Sequence, residues 1–227
     1  MKPNQWILGA ALLAGLGAVA LAVSERSAPP PAVRAPEQRP TLALLTSLPL
    51  VFGERFALGG GGSAALTRLE QRYKVVPIGV ADAASLAGQQ MLLMAHARAQ
   101  PAGALVDLDR WVRGGGRLVL LADPKLDWES ARPLGDKLRP PPAFADTGLL
   151  AHWGVELLAD GPSELPVATA SPGRLASKSC ELANGGFIAR CTIGKGRAII
   201  IADADFLNGE PTNLDLLIDE LARLERR

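Results

Sequence analysis

Residues 101–124 read PAGALVDLDRWVRGGGRLVLLADP, and the choice of architecture turns on this stretch. Pro101 suits a first helical turn, where its missing N–H costs nothing. Leu105, Leu108 and Val112 then recur at i, i+3 and i+7, the spacing of one helical face. Gly114 to Gly116 end that helix, and Arg117 to Ala122 (RLVLLA) is a continuous apolar run of strand length. With Met91 to Ala95 (MLLMA) upstream, the unit is strand, helix, strand, and such runs belong to strands covered on both faces.

Working outward, the same alternation continues in both directions. Leu42 to Thr46 and Lys74 to Ile78 read as strands around a helix near Ala64 to Arg72, which Ser63 is placed to cap. Asp146 can cap a short helix ending at Gly154, followed by a strand at Val155 to Leu158. A last helix carries Leu214, Leu217, Ile218, Leu221 and Leu224 on one face. Near the C-terminus Gly194-Lys195-Gly196 and Asn184-Gly185-Gly186 are hairpin turns, so Lys178 to Ala183, Phe187 to Ile193 and Arg197 to Ala202 read as an antiparallel meander. The expected fold class is α/β: a flavodoxin-like three-layer sandwich with a mostly parallel sheet, an antiparallel edge hairpin, and an N-terminal membrane helix.

That membrane helix is read from Trp6 to Val23, 18 residues without a charge after Lys2. It is either an anchor, at roughly 27 Å long, or a signal peptide cleaved near Ala22 at Ala20-Leu21-Ala22. Five prolines between Ser24 and Pro40 make the next segment a semi-rigid spacer. The organisation is then 1–23 anchor or signal, 24–40 linker and 41–227 folded domain, placed outside the cytoplasmic membrane or released to the periplasm.

Composition narrows the chemistry. The 227 residues carry 24 Lys and Arg against 23 Asp and Glu. From Thr41 onward the balance is even, so no basic surface invites nucleic acid. Two histidines and two cysteines leave little for metal sites, and no cofactor is expected. With Asn184 opposite Phe187, Cys180 faces Cys191, so the pair is either a cross-strand disulfide or two buried thiols.

Ligands in an open α/β sheet sit beyond the carboxyl ends of the strands, where the sequence puts Ser47, His96, Asp123, Asp203 and Asp205. No G-x-S-x-G or G-x-C-x-G elbow occurs, so no nucleophile is named and the chain is expected to act by binding rather than as an enzyme. Asp203 and Asp205, two apart, either do acid/base work or bond loop amides. The aperiodic loop Pro124 to Ala145 holds Trp128, which either anchors a protein partner or folds back on its own domain.

The strings TSLPLVFGE (46–54), LDRWVRGGGRLVLLADP (108–124), LLAHWGVEL (149–157) and GKGRAIIIADADFLN (194–208) together resemble the GldG-like auxiliary proteins of ABC-type transport systems. The extracytoplasmic domain of those proteins is similar to the class I glutamine amidotransferase fold. The resemblance spans the whole folded part, with Ala202 and Ala204 where the family's G-D-S-D-F segment has glycine and serine. It implies transporter permease and ATPase subunits as partners. The nucleophilic Cys and the His-x-Glu pair of true amidotransferases are absent, as is a second membrane helix.

Overall fold

The computed structural model describes residues 33–53, 62–209 and 211–226. Among them, five strands run parallel in the order β2 (Lys74–Pro77), β1 (Thr41–Thr46), β3 (Met91–Ala95), β4 (Arg117–Leu121) and β9 (Gly196–Ile201). Two antiparallel strands, β8 (Ile188–Ile193) and β7 (Glu181–Ala183), extend the sheet beyond β9. The register is regular at the centre, with Leu93 beside Val119 and Val119 beside Ile199.

Alternation along the central strands divides the core. Leu42, Leu44, Leu93, Val119, Ile199 and Ile201 face α1 (Ala64–Glu70) and α5 (Leu214–Glu225). Ala43, Leu45, Leu92, Met94, Leu118, Leu120 and Ile200 face α2 (Ala83–Leu86), α3 (Ala102–Arg113) and α4 (Leu149–His152). Each side buries apolar area worth roughly 25 cal/mol per Å² removed from water. Capping follows the local chemistry: Ser63 Oγ accepts the Leu66 amide, and Asp146 Oδ1 accepts those of Gly148 and Leu150.

Four features correct the expected architecture. No helix among the described residues is long and apolar enough to cross a membrane. The longest, α3 and α5, have 12 residues each, about 18 Å of rise against a hydrocarbon core of about 30 Å. Trp6 to Val23 lies outside the described residues, and the fold class is corrected to a mixed α/β architecture with a seven-stranded, mostly parallel sheet and no membrane-crossing helix among the described residues. Second, the first strand of the expected meander, Lys178 to Ala183, shrinks to Glu181–Ala183 because the amides of Ser179 and Cys180 turn onto Ser177 Oγ, and its loop, Asn184 to Gly186, is a 3-10 turn with Asn184 at φ 50°. Third, β5 (Val155–Leu158) pairs with β6 (Arg174–Ser177) in a separate two-stranded sheet. Lastly, the spacer is not all spacer: Arg34 makes a bidentate pair with Glu225 and its amide donates to Gln71 O, fastening residues 34–39 at the amino ends of β1 and β2.

The meander settles the cysteines. Glu181 pairs with Arg190, which sets Cys180 opposite Cys191, and the two are joined with Cα atoms 4.5 Å apart.

Candidate functional site

Three carboxylates meet where the parallel strands end. Asp123 follows β4, and Asp203 and Asp205 follow β9, its lateral neighbour, so the sheet itself brings the two ends together. One oxygen from each of the three lies within 4.8 Å of the others. Asp123 and Asp203 have no exposed surface and Asp205 is 8 % exposed. At that separation, each pair of full charges would repel by roughly 3.5 kcal/mol at an effective dielectric of 20.

Most of the oxygens are held. Asp123 Oδ1 accepts the Lys125 amide at 2.8 Å and its Oδ2 accepts the Ala204 amide at 3.0 Å. Asp203 accepts from the Thr169 hydroxyl and the Phe206 amide. Asp205 Oδ1 accepts the Asp127 amide at 2.8 Å, while its Oδ2 is buried without a partner among the described residues. The group offers one oxygen from each of three carboxylates, fewer than the six to eight that a calcium ion takes.

Burial governs the protonation of all three. It raises Asp123, opposed by the Ala204 and Lys125 amides. Burial, with the charge of Asp123, pushes Asp203 up to about 6 against the bond from Thr169. The same two causes push Asp205 up to about 7. The cluster therefore holds protons near neutrality and is chemically able to exchange them.

His96 stands at the end of β3, fully buried at a left-handed φ of 47°. Its Nε2 lies 2.9 Å from Pro141 O, and Nδ1 is buried without a partner. Burial lowers its pKa, so the ring is neutral, with Nε2–H donating to the carbonyl. Ser47, after β1, donates its hydroxyl to His96 O at 2.5 Å.

The loop from Pro124 to Ala145 lies across these strand ends. Leu126 N donates to Pro142 O, Phe144 N donates to Asp123 O, and Arg98 bonds Arg139 O. Trp128 is half-buried against the α1–α5 side of the core and also lines a cavity of about 440 Å³ with Leu134 and Arg139. Ser47 lines a separate cavity of about 380 Å³ with Pro49, Phe52, Arg132 and Leu138. A cavity of about 940 Å³ lies beside β5 and β6 and is lined by none of Asp123, Asp203 and Asp205.

The structure thus brings Asp123, Asp203 and Asp205 together and sets His96 electrostatically against Asp123, while Ser47 and Trp128 open onto other hollows. Local reading showed the Asp203 and Asp205 pair but no third carboxylate beside it, because Asp123 arrives through lateral strand pairing. Thr169 and the Pro141 carbonyl were missed. Neither has a local signal, since both come from aperiodic segments.

No protein-family model and no curated protein matches the chain. Solved structures similar to it include an exo-beta-1,4-mannosidase from Opitutaceae bacterium strain TAV5, at 15 % identity and TM-score 0.45, covering 82 % of this chain and 36 % of that one. A beta-galactosidase from Bacillus circulans follows at 17 % and 0.39, covering 79 % and 31 %. A cytoplasmic protein of Salmonella typhimurium LT2 stands at 11 % and 0.47, covering 81 % and 99 %. The chain spans about a third of the glycosidases' length, and at these scores the likeness assigns no activity. With glycoside hydrolases among its neighbours, the expectation that the chain is not an enzyme is withdrawn.

Proposed function

We propose that the folded region is an extracytoplasmic accessory domain of an ABC-type transport system, binding the permease directly and the ATPase through it. The observation that carries this reading is the apolar surface on the loops over the strand ends. Phe52, Leu134 and Leu138 are 82 %, 88 % and 65 % exposed there, beside the half-buried Trp128. Large apolar side chains gathered on one face, with Arg98, Arg132 and Arg139 around them, have the composition of a protein-docking surface. The disulfide supports an oxidising compartment, since such bonds are rare in the cytosol. The four strings shared with GldG-like proteins supply the kind of partner.

The experiment is capture from detergent-solubilised membranes, with the permease identified by mass spectrometry. Leu134→Asp with Leu138→Asp should cut permease recovery at least fivefold, whereas Val106→Asp, on the exposed face of α3, should not. Equal recovery by all three proteins refutes the reading.

A second reading is favoured by the converging carboxylates, whose protons are available near neutral pH: hydrolysis at the strand ends. It requires turnover of an amide, ester or glycoside that Asp123→Asn abolishes.

A further inference from the structure

We propose that the Asp123, Asp203 and Asp205 cluster is a proton-operated latch for the loop over the strand ends: protonated, it holds the loop closed, and ionised, it lets the loop go. The cluster grips the near end of that loop directly. Lys125 N bonds Asp123 Oδ1 and Asp127 N bonds Asp205 Oδ1. The far end returns to the same place, with Phe144 N on the Asp123 carbonyl and Pro141 O on His96 Nε2. The amide bonds by themselves favour ionised carboxylates, so release comes from the crowding of three charges within 4.8 Å, which is relieved when the loop's near end draws Asp123 and Asp205 apart.

None of the ion pairs seen among the described residues compensates the three carboxylates. From β3 the cluster is faced by His96, which burial keeps neutral. The loop contributes Asp127, whose charge raises Asp205 further, and the exposed Lys125, which reaches it only through its amide. Across from Asp203 stands the uncharged Thr169. Arg98 and Arg139 bond backbone carbonyls instead. Asp205 Oδ2, buried with no partner, is the oxygen where an added proton removes the most unfavourable charge. Folded pKa values of about 6 and about 7 lie above the unfolded carboxylate range of about 4, so the closed loop is fully stabilised in acid. That stabilisation is lost progressively as pH rises from about 4 to about 7.

The test follows hydrogen exchange of peptides covering residues 124–128 and 143–145 from pH 5.5 to 8, corrected for intrinsic exchange. Protection in the wild type should fall about tenfold or more, the equivalent of at least one pKa unit. In Asp205→Asn it should fall severalfold less than in the wild type, with only the Asp203 contribution near pH 6 left. His96→Gln should keep the pH dependence. Carboxyl carbon NMR of the wild type supplies a readout free of any variant and should show an Asp titrating near pH 6 to 7. Flat wild-type protection, an unchanged fall in Asp205→Asn, loss of the fall in His96→Gln alone, or all three carboxyls titrating below pH 4.5 would overturn the latch. None of these readouts involves a transporter, so failure here is separate from failure of the docking reading.

Discussion

Asp203 has no solvent contact, yet its carboxylate must share a buried space with two others. Replacing it with Asn removes one charge and keeps an oxygen for the Phe206 amide. Because the folded pKa is raised to about 6 from an unfolded value of about 4, the ionised form costs the wild type stability progressively between those two pH values and in full above pH 6. Asp203→Asn should therefore gain on the order of 2–3 kcal/mol over wild type at pH 8, about half of that at pH 5 and almost nothing at pH 3, as urea melts at the three pH values will read. Glu220 presents the opposite case. It is 3 % exposed on α5 and holds Arg190 of β8 through two bonds of 2.6 and 2.9 Å. Glu220→Ala leaves the half-buried guanidinium with only the distant Glu181, 3.5 Å away, and should cost about 3 kcal/mol in the same melts.

The hairpin joining β8 and β9 is tied to α3 by absence of side chain. Gly194 adopts φ 61° and Lys195 N donates to Arg113 O, so the turn sits on the end of the helix. A Cβ at Gly196 would lie 2.0 Å from Val112 O and 2.3 Å from Gly116 O, both backbone atoms that cannot swing aside. Gly196→Ala should lower stability by about 3 kcal/mol or more and leave little soluble protein, whereas Lys195→Ala, on an exposed turn residue, should be near neutral. The adjacent disulfide spans 11 residues, and its reduction should cost about 2–3 kcal/mol, readable as a fall in melting temperature with dithiothreitol. These elements also show what the sequence made legible. Gly194-Lys195-Gly196 and the Leu105, Leu108, Val112 face carry their geometry in local chemistry, so strand, helix and turn could be placed from them. The pairing of β5 with β6 could not, because Arg174–Ser177 is four residues bounded by loops with no period to count. The carboxylate cluster fell between these cases: its residues were legible at strand ends, but their meeting depends on which strand lies beside which.

At the scale of the molecule, the folded unit starts earlier than its first strand. Arg34 bonds Glu225, Arg72 O and Gln71 O, and stands over the Tyr73 ring at 5.7 Å. Tyr73 also donates to Glu225, and burial with that bond raises its own pKa. A chain beginning at Thr41 lacks this network and should melt a few degrees below one beginning at Val33, with a deficit of about 1–2 kcal/mol. Equal melting temperatures would mean that residues 33–40 lie on the domain without stabilising it.

The same clamp acts as a mechanical fuse. Tension applied to residues ahead of Val33 meets the Arg34 bonds first, before any load reaches β1, which is paired along both edges to β2 and β3. A few charge-assisted bonds concentrated on a single guanidinium break in succession, while two ladders loaded along the strand must give way together. Rupture at Arg34 frees residues 34–39, about 20 Å of extended chain at roughly 3.4 Å each, and leaves the sheet intact. A domain pulled from its N-terminus would thus lengthen by a small fixed step before it unfolds, and the loop face at the far end of the strands would keep its shape while the chain takes up strain.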